Sequence, residues 1–68
     1  MTKEINVTIN NKPEVIPHDI TAKELIQLRG LKKAAVWVND NQLLKSDYDT
    51  ATFNDGDTIR VLRIMAGG

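Results

Sequence analysis

The chemistry that this sequence offers lies at its end, where Ala66 and Gly67 lead to the carboxylate of Gly68. Glycine has no Cβ and reaches backbone angles that other residues avoid. We therefore expect residues 65–68 to form a thin, mobile tail that can enter a channel too narrow for bulkier side chains. Small residues also collect at chain ends without any function, so the alternative is an incidental tail.

The residues before this tail predict a strand at 58–64, with Ile59 and Val61 on the face that packs in the core. The opposite face of a sheet can remain exposed to solvent, and an exposed apolar patch often marks a partner site. We predict docking on that face, although Leu62 and Ile64 could instead pack under a loop. The predicted docking face consists of Arg60, Leu62, Ile64 and Met65.

Composition limits the function further. The 68 residues, 41% of them hydrophobic, form one domain at most and leave no room for an enzyme cleft with its own supporting shell. The absence of cysteine excludes disulfides, thiolate metal sites and a cysteine nucleophile. Nine basic residues balance nine acidic ones, so no net charge favours nucleic acid or an anionic membrane. We expect a cytoplasmic protein with no catalytic residue and no metal.

Other polar and aromatic residues have structural explanations. His18 is the sole histidine and lacks a nearby ligand cluster, so we assign it to the surface or to a cap. The aspartates do not follow the spacing of a calcium loop, and we interpret them as turn and capping residues. Trp37 belongs either to the core or to the exposed binding face, and its large area favours the core. The aspartates considered are Asp47, Asp49, Asp55 and Asp57.

Periodicity and turn residues predict the elements that position the tail. Thr21 and Glu24 form a capping box at the start of a helix over residues 22–29, and Gly30 fits the position just after it. Strands are predicted at 4–10, 14–16, 34–38, 43–44 and 58–64, with turns at 10–13, 39–42 and 54–57 and a polar loop or helical turn at 45–49.

This order predicts an α+β fold, a mixed four- to five-stranded sheet with one helix on one face. The first and last strands are long and apolar, so we expect them to be central, parallel neighbours. The predicted domain spans residues 1–64, and residues 65–68 are the tail.

The chain resembles the ubiquitin-like β-grasp sulfur carriers, above all those of the ThiS family in thiamine biosynthesis. The resemblance rests on the run from Asp55 to Ile59, on Val36-Trp37-Val38-Asn39, and on the final Met65-Ala66-Gly67-Gly68. It covers essentially the whole chain and includes an aliphatic residue before Ala-Gly-Gly. The related molybdopterin-synthase subunits tend to be longer, with prolines before the glycines, and this chain has neither trait.

The resemblance implies that Gly68 is the reacting residue. An E1-like, ThiF-like adenylyltransferase would use ATP to form an acyl adenylate at Gly68, and a persulfide protein would supply sulfur to give a thiocarboxylate. A ThiG-like thiazole synthase would then take the sulfur. The chain itself would bind no cofactor. Three alternatives stay open: a carrier for molybdopterin or another thiolation pathway, a protein modifier conjugated through Gly68, and a binding module with an incidental tail.

Overall fold

A computed structural model describes residues 3–64 of the chain. Two strands precede the one α-helix of the described residues and three follow it, and a short 3₁₀ helix precedes the last strand. In chain order they are β1 (Glu4–Ile9), β2 (Lys12–Pro17), α1 (Ala22–Leu28), β3 (Ala34–Val38), β4 (Asn41–Gln42), the 3₁₀ helix (Lys45–Asp47) and β5 (Thr58–Arg63).

The five strands form one mixed sheet in the order β2-β1-β5-β3-β4. β1 pairs with β5 in parallel, and the other neighbouring strands pair antiparallel. The helix lies in the connection between the first hairpin and β3. This arrangement confirms the predicted α+β fold and the central, parallel neighbours β1 and β5.

The hydrophobic core lies between the sheet and α1. Alternation along β1 buries Ile5, Val7 and Ile9 on the face toward the helix. The helix contributes three apolar residues, and Phe53 is buried although it belongs to no helix or strand. The core residues are Ile5, Val7, Ile9, Ile16, Ile20, Ala22, Leu25, Ile26, Ala34, Val36, Phe53, Ile59 and Val61.

Both tight hairpins close through two residues with positive φ. Asn10 and Asn11 have φ angles of 52° and 68°, and Asn39 and Asp40 have 51° and 70°. Turns of this type match the twist of the flanking strands, and asparagine and aspartate tolerate them. The predicted turns at 10–13 and 39–42 are therefore too long.

The shorter turns move two strand boundaries. β2 begins at Lys12 rather than at residue 14, and β4 occupies Asn41–Gln42 rather than the predicted residues 43–44. A two-residue turn lets pairing resume immediately on both sides, so residues that are common in turns lie in the strands.

The amino terminus of α1 has the predicted capping box. The Thr21 hydroxyl oxygen accepts from the backbone N–H of Glu24 at 3.2 Å, and the Thr21 N–H donates to Glu24 Oε1 at 3.0 Å. The Thr21 backbone N–H, together with its hydroxyl, lowers the pKa of the Glu24 carboxyl below its ordinary value. The charged form of Glu24 thus contributes stability above its ordinary pKa, and this contribution is lost as pH falls through the lowered value.

The carboxyl end of α1 closes on Gly30, which has a φ of 73°. The Gly30 N–H donates to the Gln27 carbonyl at 3.0 Å, and the Leu31 N–H donates to the Ile26 carbonyl at 3.1 Å. These two bonds are the Schellman pattern, which satisfies carbonyls that the helix leaves unpaired. The helix therefore ends at Leu28, one residue before the predicted end.

We predict that Thr21→Ala lowers the free energy of unfolding by about 1 kcal/mol, because it removes the N-cap acceptor of α1. Urea unfolding followed by circular dichroism measures this difference. Gln27→Ala is the matched control, since Gln27 is an exposed position of the same helix and its side chain takes no part in the amino-terminal cap. An equal loss in both variants would contradict the capping role.

Candidate functional site

β5 separates a buried face from an exposed one, just before the predicted tail. Ile59 and Val61 are 1% and 4% exposed and belong to the core, as predicted. Arg60 points to the other face and is exposed. Leu62 is 46% exposed, and Ile64, the last described residue, is 51% exposed. The structure thus places two large apolar side chains in contact with solvent beside the start of the tail, rather than under a loop.

The neighbouring strand β3 leaves this exposed face open. In the antiparallel register, Leu62 lies opposite Ala35 and Arg60 lies opposite Trp37. Alanine is too small to shield Leu62. The pairing continues one step beyond the strand, because the Ile64 N–H donates to the Lys33 carbonyl at 3.1 Å. The backbone is therefore held by β3 and by Lys33, the residue before it, as far as the last described residue.

The prediction that Trp37 belongs to the core is wrong. Its size favours the core, but the structure places it half-buried on the face away from the helix and outside the core cluster. There it lines a shallow polar cavity of about 240 Å³ together with Arg60 and Asn11. The core beneath β3 is filled by Val36, so the strand alternation overrides the preference for burying a large aromatic side chain.

On its other side, β5 extends beyond β1. The parallel register covers only Thr8 opposite Thr58 and Ile9 opposite Ile59. The Asn10 side chain then replaces a strand: its Nδ2 donates to the Val61 carbonyl at 3.1 Å, and its Oδ1 accepts from the Val61 N–H at 2.9 Å. The amide group of Asn10 thus fixes β5 one residue before Leu62.

Asp55 and Asp57 have the structural roles predicted for turn residues. Asp57 accepts from the Asn54 N–H at 2.8 Å and from the Asn39 side chain at 3.1 Å, and Asp55 accepts from the Asn6 N–H at 2.7 Å. Gly56, between them, has a φ of 88°. These carboxylates therefore anchor the loop that leads into β5.

Within residues 3–64, no three histidine, cysteine or acidic side chains are grouped so that they could hold a metal ion. His18 is exposed, and its backbone N–H donates to the Lys3 carbonyl at 2.8 Å. No helix in the described part of the chain is both long and apolar enough to cross a membrane.

The residues assigned to the tail lie outside the described residues. These are Met65, Ala66, Gly67 and Gly68, so the tail and the domain boundary at residue 64 stay predictions. The docking role of Arg60, Leu62 and Ile64 also stays a prediction, although the structure shows that all three are exposed. Sequence analysis missed Asn10, because its contacts with Val61 span 51 positions of the chain.

Comparison with known proteins finds similarity among solved structures. A scan against protein-family models gives no match. A search of curated proteins also gives no match. Among solved structures, the chain is similar to the crystal structure of the thiamine biosynthesis protein ThiS from Geobacter metallireducens, with a TM-score of 0.75 and 28% identity. The match covers 94% of this chain and 100% of that chain, and it confirms the predicted ubiquitin-like β-grasp fold and the ThiS resemblance.

We predict that Asn10→Gly lowers the free energy of unfolding by about 1–3 kcal/mol, because two partly buried hydrogen bonds to Val61 are lost. Glycine keeps the positive φ of this position without strain. Asn11→Gly is the matched control, since Asn11 is the other residue with positive φ in the same turn. Urea unfolding of both variants measures the difference, and equal stability would refute the role of the Asn10 amide.

Proposed function

Because the chain is ThiS-like in fold and over nearly its whole length, we propose that it is a sulfur carrier of thiamine biosynthesis and not an enzyme. The observation that carries this proposal is the structural similarity to ThiS at 28% identity. The size of the chain supports it, since one small core of this kind leaves little material for a catalytic cleft. The chain is then a substrate that its partner enzymes modify and regenerate.

The proposed chemistry takes place at the Gly68 carboxylate. A ThiF-like adenylyltransferase joins this carboxylate to the AMP part of ATP and releases pyrophosphate. The terminal sulfur of a persulfide protein attacks the acyl carbon, and AMP leaves with the bonding electrons. A thiol then cleaves the sulfur–sulfur bond, so that a thiocarboxylate remains on Gly68 and a disulfide forms elsewhere. We assign these steps to the cytoplasm, where thiols remain reduced.

The final step passes the sulfur to the substrate of a ThiG-like thiazole synthase, and an oxygen atom from a carbonyl of that substrate replaces the sulfur on the acyl carbon, so that Gly68 returns to a carboxylate. Each partner has to enclose the same acyl group while excluding water. The small side chains of Ala66 and Gly67 suit such enclosure, because they let the backbone enter a narrow channel. The carrier supplies the acyl group and its position, and the enzymes supply the acid, base and nucleotide chemistry.

The folded domain presents this tail to its partners. Leu62 and Ile64 are exposed in the residues that precede the tail, and Leu62 lies on the same face of β5 as Arg60. Apolar anchors at the centre of an interface with charged groups at the rim are the usual source of binding energy between proteins. We propose that Arg60, Leu62, Ile64 and Met65 contact the adenylyltransferase and the synthase in turn.

We predict that the chain, incubated with the adenylyltransferase of its source, ATP and a persulfide donor, gains the mass difference between sulfur and oxygen at Gly68. A variant without Gly68 has no carboxylate at the required position and stays unchanged, although its urea unfolding midpoint equals that of the intact chain. Intact-mass spectrometry detects the exchange. No exchange in the intact chain, or isopeptide adducts in its place, would contradict the sulfur-carrier proposal.

We predict that Leu62→Ala raises the KM of the adenylyltransferase for the carrier about tenfold, because truncating an apolar anchor costs more than about 1 kcal/mol of binding. Val15→Ala is the matched control, since Val15 is 57% exposed on the edge strand β2. Steady-state adenylation kinetics measures both values. Equal KM values for the two variants would show that Leu62 lies outside the docking face.

A further inference from the structure

A second surface with a distinct chemistry lies between α1, β3 and the 3₁₀ helix. It is a groove of about 440 Å³ whose floor includes the buried Ile26 and Ala34 and the half-buried Leu43 and Tyr48. Ile64 lines the same groove, which therefore reaches the end of the described chain. We call this feature the lysine groove, because its lining includes Lys23, Lys32, Lys33 and Lys45.

The charge of the lysine groove is one-sided. It contains four of the nine basic residues of a chain with no net charge, and none of the described residues that line it is acidic. Lys23 contacts Asp49 at 3.5 Å, but both side chains are largely exposed, so this ion pair contributes little. The salt bridges between described residues do not involve Lys32, Lys33 or Lys45. Three cations are thus available at its rim.

A strand of another protein cannot pair with β3 in the lysine groove, because the backbone groups it would need are already hydrogen-bonded. The Tyr48 hydroxyl accepts from the Val36 N–H and donates to the Ala34 carbonyl, each at 3.2 Å. These are the backbone groups through which the outer edge of β3 would pair with another strand. The Val36 carbonyl also accepts from the Leu43 N–H at 2.8 Å. An occupant must therefore bind through its side chains.

We propose that the lysine groove binds an acidic segment of a partner protein, with an apolar side chain on the floor and carboxylates at Lys32, Lys33 and Lys45. This inference rests on the proposed function, because the partner is a protein that acts on the tail beside Ile64. Charge complementarity selects acidic side chains, and the apolar floor selects a hydrophobic residue between them.

The same surface fits nucleic acid poorly. The chain carries no net positive charge, whereas binding along a phosphate backbone draws on many cations. Single-stranded nucleic acids also need exposed aromatic rings on which bases stack. Among residues 3–64, Tyr48 is the one aromatic residue that lines the groove, and its hydroxyl is hydrogen-bonded to the edge of β3.

The test is a titration of ¹⁵N-labelled full-length protein, followed by NMR, with the acetylated and amidated peptide Glu-Asp-Leu-Phe-Asp-Glu. The matched peptide Gln-Asn-Leu-Phe-Asn-Gln has the same apolar pair without charge. We expect the acidic peptide to shift the amides of Ala35, Leu43 and Ile64, and to bind at least about tenfold more tightly than the neutral one, since it adds several ion pairs.

Charge-reversal variants identify the lysines that bind the acidic peptide. We expect Lys32→Glu/Lys33→Glu to weaken binding of the acidic peptide about tenfold, because attraction becomes repulsion at two rim positions. Lys3→Glu/Lys12→Glu changes the net charge equally and is the matched control, since both residues lie outside the groove. Lys45→Glu is a second, independent variant. Equal urea midpoints show that the variants are folded.

Several results would overturn the inference: equal binding of both peptides, equal loss in the control variant, or tighter binding of an oligothymidylate or of phosphatidylserine vesicles. The proposed function fails separately, because it depends on sulfur exchange at Gly68 and peptide binding does not. Wild-type protein that forms a thiocarboxylate but does not bind the acidic peptide would refute only the proposed role of the lysine groove. Peptide binding without sulfur exchange would refute only the proposal that the chain is a sulfur carrier.

Discussion

The fold depends on a very short parallel pairing between β1 and β5, which joins the two ends of the domain. Two residue pairs define its register, and contacts from outside the strands lengthen it in both directions. Before β5, the Gly56 N–H donates to the Asn6 carbonyl at 2.7 Å. After β1, the side-chain amide of Asn10 forms hydrogen bonds with both the N–H and the carbonyl of Val61. Closing a long loop costs entropy that contacts must offset. These bonds offset part of that cost, and together with the pairing to β3 they determine where the exposed end of β5 lies.

Local patterns predicted most of this architecture. Alternation identified β1, β3 and β5, and the pair Thr21 and Glu24 located the start of the helix, because each of these features is encoded within a few neighbouring residues. The assignment of Ile59 and Val61 to the core followed from the same alternation. The parallel pairing of β1 and β5 followed from their length and apolar character, combined with the single helix between the hairpins.

The features that sequence analysis missed depend on distant residues or on backbone angles. Asparagine is common in turns of several lengths, so its presence at residues 10 and 39 did not reveal that both turns contain only two residues. Trp37 faces away from the core because Val36 already fills it. The lysine groove combines positions from the helix, from the segment before β3 and from the 3₁₀ helix, and only the folded chain brings their charges together.

The two edges of the sheet also affect whether molecules of this protein can pair with one another through their strands. Because a two-residue turn closes the first hairpin, the backbone groups of residues 13, 15 and 17 in β2 point away from β1. Pro13 and Pro17 occupy two of these positions and have no backbone N–H that could donate to another strand. At the opposite margin the outer strand β4 has only two residues, and Tyr48 occupies the backbone groups of β3 that β4 leaves uncovered. Both margins therefore offer few free N–H groups to the strand of another molecule, which disfavours growth of the sheet by edge pairing.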